Sequence, residues 1–334
     1  MRVGVVGVGN MGYNHVRIYS ELAKNGLVEL VGVTDINYER ALNVAKTFKT
    51  RCFNSYKDLI GLVDAVSIAT PTETHRDIAL DFINSGVNVL VEKPIASNVL
   101  EALELLRSSE DNKVLLMVGH VERYNPAVLK LKDIVKNGLL GKLVTITAKR
   151  VGPFDPRAAR TNIIIDLAIH DIDVINYILG SRALNIYTRS RRVHPDSRED
   201  DYGLITISYE DNTDAIVETN RLTPYKLRSL EVVGTKGVAV LNYLEQRIIM
   251  YDSEWVREAN IQKEEPLKLE LLNFIKAVKG VEKPLVTKEE AIYALLIAEA
   301  AVESSRKNKP IQTEDYIKEK KYETMIKHIL QFPF

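Results

Sequence analysis

Through the first 120 residues, short apolar runs alternate with amphipathic stretches. The pattern predicts strands over 2–8, 28–34, 64–69, 88–92 and 114–118, and helices over 11–24, 38–48, 73–85 and 98–110. The strands are Val-rich and almost continuously hydrophobic, as strands buried on both faces must be. Strand and helix in strict alternation predict a parallel sheet covered on both sides. After about residue 120 the rhythm changes. A helix from Asn125-Pro126 to about Asn137 precedes an alternating strand over 142–151 and a helix over 165–179. Strands then follow at 183–192, 202–209, 214–220, 229–234, 237–241 and 246–251, with turn signals at Asp211-Asn212 and Gly234-Thr-Lys-Gly237. Consecutive strands of this kind predict a largely antiparallel sheet. Helices at about 266–279 and 287–306 complete the pattern.

The predicted fold class is therefore α/β. A doubly wound, parallel Rossmann-type domain over 1–120 precedes a C-terminal α+β domain over 121–334 with an open, mainly antiparallel sheet. The first domain is expected to hold a cofactor, the second to bind substrate and to assemble.

Composition narrows the function classes. The chain has 334 residues, with 45 basic and 45 acidic side chains. A net charge of zero argues against broad capture of nucleic acid or an anionic membrane surface. One cysteine, Cys52, excludes an internal disulfide framework and a multi-cysteine zinc site. No run approaches the roughly 18 apolar residues of a membrane span, and the short apolar run Val3–Val8 breaks at glycines, unlike a signal peptide. The expectation is a cytoplasmic protein.

Gly7-Val8-Gly9-Asn10-Met11-Gly12 matches G-x-G-x-x-G. The pattern alone is weak. Here it follows a predicted strand, opens a predicted helix, and precedes Asp35 by 23 residues, at the end of the next strand. That context makes it a dinucleotide fingerprint. Gly7 permits the tight turn, Gly9 lets a pyrophosphate approach the backbone, and Gly12 lets helix and strand pack closely. The helix's first N–H groups, with Asn10 and Met11, would receive the anion. Asp35 would accept hydrogen bonds from ribose hydroxyls and repel a 2′-phosphate. NAD is the expected cofactor, with Ile36 beside it.

Three further motifs sit at predicted strand C-termini, where doubly wound sheets bind ligands. They are Ala69-Thr70-Pro71-Thr72 with His75, Val91-Glu92-Lys93-Pro94, and Val118-Gly119-His120. Thr70, Pro71, His75, Glu92 and Lys93 are expected at the cofactor. Lys93, fixed by Pro94, would stand near the nicotinamide end. In the second domain, Asp166 and His170 are four residues apart on a predicted helix and would share a face. Such a pair can tune an imidazole for proton abstraction. Asp166, His170 and Asp173 could also form a facial metal set, but no other His or Cys motif supports one, so no metal is expected.

The G-x-G-x-x-G loop, Ala-Thr-Pro with His75, Glu92-Lys93-Pro94 and Asp166-x-x-x-His170-Asp171 together resemble the glucose-fructose oxidoreductase / inositol dehydrogenase (Gfo/Idh/MocA) family. The resemblance spans essentially the whole chain. It implies oxidation or reduction of a sugar or polyol hydroxyl by a nicotinamide cofactor, with Lys93, Asp166 and His170 as catalytic trio. His170 would take the hydroxyl proton, Lys93 would stabilise the reacting oxygen, and Asp166 would orient them. Residues 118–126 and 149–157 look most like family members that oxidise carbon 3 of UDP-N-acetylglucosamine. One departure is Thr161-Asn-Ile-Ile-Ile165, where many members have a glycine-rich entry to this helix.

A sugar nucleotide needs cations for its diphosphate. Residues 142–198 hold ten Lys/Arg against five Asp/Glu, so the zero net charge is a cancellation between a basic stretch and an acidic remainder. Arg157 is the first candidate for the diphosphate, with Arg150 and Arg160 behind it. Tyr124, Asn162, Lys93 and His170 complete the expected substrate contacts. Alternatives are an inositol or free-sugar dehydrogenase, and, from another class, a non-catalytic NAD-sensing regulator. Partners are expected to be the small-molecule substrate and further copies of the chain, as homodimer or homotetramer, because the second sheet carries apolar residues on both faces.

Overall fold

The structure is a computed structural model and describes residues 1–323. The chain forms two compact units. The first contains Met1–Val121 and also Leu267–Ile292; the second contains Glu122–Pro266 and, among the described residues, Tyr293–Glu323. The expected single division at 120/121 therefore misses one feature: a C-terminal segment returns to the cofactor unit.

The first unit runs β1 (Arg2–Val6), α1 (Asn10–Lys24), β2 (Glu29–Thr34), α2 (Tyr38–Phe48), β3 (Arg51–Cys52), β4 (Ala65–Ile68), α3 (His75–Ile83), β5 (Asn88–Glu92), α4 (Val99–Asp111) and β6 (Leu116–Gly119). The strands form a six-stranded sheet in the order β3-β2-β1-β4-β5-β6, with every pairing parallel. This order places the switch point between β1 and β4, where ligands bind such sheets. Val3, Val5, Val33, Val66, Ile68, Val89, Val91 and Val118 are fully buried, which is why these strands read as continuous apolar runs. Helix α4 starts where Asn98 accepts a hydrogen bond from the Glu101 N–H, an N-cap.

The second unit holds α5 (Pro126–Lys136), β7 (Leu143–Val151), α6 (Ile169–Leu179), β8 (Ala183–Arg191), β9 (Tyr202–Tyr209), β10 (Asp214–Asn220), β11 (Leu227–Gly234), β12 (Gly237–Asn242), β13 (Arg247–Tyr251) and β14 (Val256–Glu258). Along the chain there follow α7 (Pro266–Val278), which from Leu267 belongs to the first unit, α8 (Lys288–Lys307), which belongs to the second from Tyr293, and then β15 (Ile311–Gln312) and α9 (Thr313–Glu319) of the second unit. Its nine strands are ordered β14-β13-β12-β11-β7-β10-β9-β8-β15, antiparallel except for the parallel pair β7–β10. Period-2 alternation separates the two faces. Ile207, Ala215, Ile146, Val232 and Ala239 form one buried row across five strands. The adjacent row, Thr206, Ile216, Thr147 and Glu231, faces outward.

The main departure from the expected elements lies at the predicted helix over 165–179. Ile164–Ala168 form a π-helical turn, in which the Ile169 N–H donates to the Ile164 carbonyl five residues back; α6 begins only at Ile169. π-turns are rare and cluster at functional sites. The Asp166–His170 spacing thus spans a change of pitch, and the same-face argument for a regular helix does not apply to it.

Candidate functional site

The glycine loop has the geometry a pyrophosphate requires. Gly7 has φ +81°, and a Cβ there would press on the Ala69 carbonyl oxygen at 2.7 Å. A Cβ on Gly12 would overlap the Gly7 carbonyl oxygen, so only glycine lets α1 sit this close to the loop. A Cβ on Gly9 would meet nothing within 4 Å. Open space above Gly9, at the N-terminus of α1 where Asn10 and Met11 start the helix, is the cradle that a phosphate fills. Asp35 accepts from the N–H groups of Val8 and Asn37, both at 2.8 Å. The carboxylate therefore organises the loop as well as standing at the end of β2. Ile36 beside it is fully exposed, a flat apolar surface next to the ribose position. Arg40 approaches Asp35 to 3.6 Å from an exposed position, a cation the sequence reading did not place there. These residues fit an adenine dinucleotide.

At the strand ends the structure redistributes the expected roles. His75 is buried, with Nδ1 2.9 Å from the Pro94 carbonyl oxygen and Nε2 2.9 Å from that of Thr70. Its ring bridges the loops after β4 and β5. Burial pushes the imidazole pKa down, against the pull of the two carbonyls. Pro71 is exposed and Thr70 half-buried, its hydroxyl accepting from that of Thr74 at 2.8 Å. Lys93 is half-buried and precedes Pro94 through a cis peptide bond.

Glu92, next to Lys93 in the chain, is buried. Oε2 accepts from the Lys93 N–H at 3.2 Å, and Oε1 lies 2.9 Å from Nε2 of His15. A Cβ on Gly119 would come within 3.1 Å of the carboxylate, so Gly119 leaves the space Glu92 occupies. Glu270 of α7 joins this group, with donor atoms of all three side chains within 4.8 Å of one another. Sequence reading missed His15 and Glu270. His15 had a signal: with Gly12, Val16 and Tyr19 it lies at helical spacing on the buried face of α1.

In the second unit, Asp166 is half-buried and ion-paired with Nη2 of Arg221. His170 is half-buried at the start of α6. Asn162 is used locally: its Oδ1 accepts from the Ile164 N–H and its carbonyl from the Asp166 N–H, both at 3.0 Å. These bonds tie Asn162 to the start of the π-turn.

Arg150 is the clearest correction. Its guanidinium is buried, reaching Asp171 through Nε (2.7 Å) and Nη2 (3.0 Å) and Glu122 through Nη1 (2.8 Å). Burial works against the charged form, yet the two carboxylates raise the arginine pKa well above its ordinary value. Burial likewise pushes Glu122 upward, but Arg150 and Arg228 outweigh it and hold its pKa low. Arg123 and Asp173 form a second buried pair, at 2.8 and 2.9 Å. Asp173 is thereby committed to an arginine, not to a metal set. Tyr124 is also buried and presents no stacking face. The side chain of Arg157 lies outside the described residues.

Arg160 is exposed and lines a cavity of about 400 Å³ with Phe154, Pro156, Ala159, Asp196 and Arg198. Phe154 stacks on His194, ring centroids 3.8 Å apart and 6° from parallel. Arg198 was not singled out in the sequence. Its only signal was membership of the basic stretch.

Comparison with known proteins gives the chain's family. Residues 1–120 match the Gfo/Idh/MocA oxidoreductase family model, NAD-binding Rossmann fold, and residues 128–240 match the Gfo/Idh/MocA C-terminal domain. The chain is 31% identical over 251 residues to UDP-N-acetylglucosamine 3-dehydrogenase of Acidithiobacillus ferrooxidans, covering 75% of this chain and 77% of that protein. The solved structure of the enzyme of that name from A. ferrooxidans superposes with a TM-score of 0.84 at 27% identity, covering 91% of this chain and 97% of that one. Myo-inositol 2-dehydrogenase of Thermotoga maritima is 25% identical, covering 95% of this chain and 100% of its own. Family models over both units and a relative matched over three quarters of its length lead to one conclusion: the chain belongs to the Gfo/Idh/MocA oxidoreductase family and is an NAD-dependent dehydrogenase.

Proposed function

We propose that this enzyme oxidises a CH–OH group of a sugar nucleotide, carbon 3 of UDP-N-acetylglucosamine, to the 3-keto product. The observation that carries the reading is the cavity of the second unit. It offers the Arg160 and Arg198 cations, partly offset by Asp196, and the wall of Phe154, in the unit that carries Asp166 on its π-turn and His170 on α6. A diphosphate carries about two negative charges and is held by such cations. Similarity to the A. ferrooxidans enzyme supports the same substrate class.

When bound, NAD takes up the hydride that leaves the carbinol carbon. His170 accepts the hydroxyl proton as the carbonyl forms. The Lys93 ammonium donates a hydrogen bond to the same oxygen and favours its developing negative charge. Asp166 orients the imidazole. The backbone at Lys93 is held by Glu92, itself set by His15.

A second reading, oxidation of an inositol or free sugar, is supported by the nearly full-length match to T. maritima myo-inositol 2-dehydrogenase. It needs the same trio but no cationic cavity. Incubating the protein with NAD and each of UDP-N-acetylglucosamine, UDP-glucose and myo-inositol separates the two. The expected result is NADH formation and a loss of two mass units for UDP-N-acetylglucosamine. Turnover of free polyols alone would select the second reading.

The open face of the second sheet supports assembly as a homodimer or homotetramer. Leu204 and Thr206 are exposed there beside Ile216. A cytoplasmic setting is consistent with the lone thiol of Cys52. Among the described residues no helix is long and apolar enough to cross a membrane.

A further inference from the structure

Arg221 follows the last residue of β10, and its side chain is almost wholly buried. Its guanidinium serves two different parts of the second unit. Nη1 donates to the carbonyl oxygens of Ala158 (3.1 Å) and Thr161 (3.0 Å). Nη2 donates to Oδ2 of Asp166. The two carbonyls flank Ala159 and Arg160, both of which line the cationic cavity. The opposite wall is joined to the same loop, since the Arg198 N–H donates to the Ala159 carbonyl at 2.8 Å. Backbone bonds fix Arg221 itself: its N–H donates to the Asp201 carbonyl at 2.9 Å. The Asp201 carboxylate in turn accepts from the N–H groups of Val193 and His194, both at 2.8 Å.

A guanidinium is a rigid planar fork. Its two terminal nitrogens cannot move independently, so a shift of the loop carbonyls at Nη1 tilts the plane that carries Nη2. Burial makes each of these bonds costly to abandon. We propose that Arg221 is a positioning residue that couples the Ala158–Thr161 loop to Asp166. Filling of the Arg160/Arg198 cavity and the setting of the Asp166 carboxylate are then one structural event. This rests on the catalytic role of Asp166 and on the cavity as the substrate's anchor.

The test compares the wild type with R221M, R221K, D166N and R221M/D166N, by hydrogen exchange and by turnover. Exchange at the Ala158–Thr161 amides should rise about tenfold in R221M and also in D166N, whose side chain bonds the arginine's other nitrogen. With UDP-N-acetylglucosamine and NAD, R221M should lose about 10- to 100-fold in kcat while NAD affinity stays within about twofold. R221K should recover part of that loss. In the D166N background, R221M should cost less than about threefold more, because both changes break one link. Loop exchange unmoved by D166N, or kcat losses that multiply in the double variant, would overturn the proposal. If R221M does not fold, R221K and D166N give the same readings. Wild-type turnover is recorded first: if it is absent on every sugar nucleotide, the substrate reading fails, while the exchange comparison still judges the coupling.

Discussion

Nε2 of His15 lies 2.9 Å from Oε1 of Glu92, and both side chains are buried beneath the loop that carries Lys93. The other oxygen of Glu92 accepts from the Lys93 N–H, so helix α1 is linked through one carboxylate to the backbone of the proposed catalytic lysine. The same helix begins at the pyrophosphate cradle. Cofactor loop and Lys93 are therefore set by one rigid element.

Glu92→Gln keeps the volume beside Gly119 but replaces an acceptor oxygen with a donor. Turnover should fall about tenfold or more, because small misplacement of a catalytic group is costly. NAD affinity should change little. Steady-state kinetics with fluorescence titration of NADH checks both; equal losses in affinity and kcat would show that Glu92 serves the cofactor directly.

The proposed role of Asp35 is to set the choice of dinucleotide. Asp35→Ser removes the charge that would repel a 2′-phosphate and leaves Arg40 nearby. Preference for NAD over NADP should drop by about tenfold or more, a differential of about 1.4 kcal/mol. Ratios of kcat/KM for the two cofactors measure it, and an unchanged ratio removes Asp35 from the specificity account.

Arg150 and Arg160 separate structure from binding. Arg150→Met removes the guanidinium that bonds buried Asp171 and leaves Glu122 with Arg228, and loss of one partner of a buried pair costs about 3–5 kcal/mol. Urea unfolding of the second unit should show it. Arg160→Ala should leave stability within about 0.5 kcal/mol and raise KM for the sugar nucleotide. Reversal of these two outcomes would return Arg150 to the substrate site.

His75 gives a pH signature. Its pKa is lower folded than unfolded, so the unfolded chain binds the extra proton first as pH falls. Its contribution is fully present above about pH 6.5, the unfolded value, and is lost progressively below it. Thermal unfolding between about pH 7.5 and 5 should show a steeper decline for the wild type than for His75→Gln. Parallel curves would mean the bridging imidazole is no stability switch.

The layout of both sheets was legible because burial leaves a periodic trace. The valine runs of β1, β4 and β5 mark strands covered on two faces, and Ile205–Ile207 against Leu204–Thr206 marks a strand covered on one. β3, β14 and β15 were missed because two or three residues carry no period. The π-turn at Ile164–Ala168 was missed because its residues are as apolar as those of a regular helix. In the site, Gly7, Gly9, Gly12 and Asp35 were singled out from their spacing, and backbone sterics demand glycine at Gly7 and Gly12. Arg150 was misassigned because charge is visible in a sequence and its partners are not: Asp171 is 21 residues away and Glu122 is 28. Arg221 escaped for the same reason, reaching Asp166 across 55 residues.

The central claim is that hydride leaves carbon 3 of UDP-N-acetylglucosamine. Substrate deuterated at that carbon, incubated with the enzyme and NAD, tests it directly by mass spectrometry of both products. The account predicts deuterium in the reduced nicotinamide and a 3-keto sugar nucleotide without it. Reduced cofactor free of deuterium, or a substrate that keeps its label while other sugars or polyols are oxidised, would contradict it.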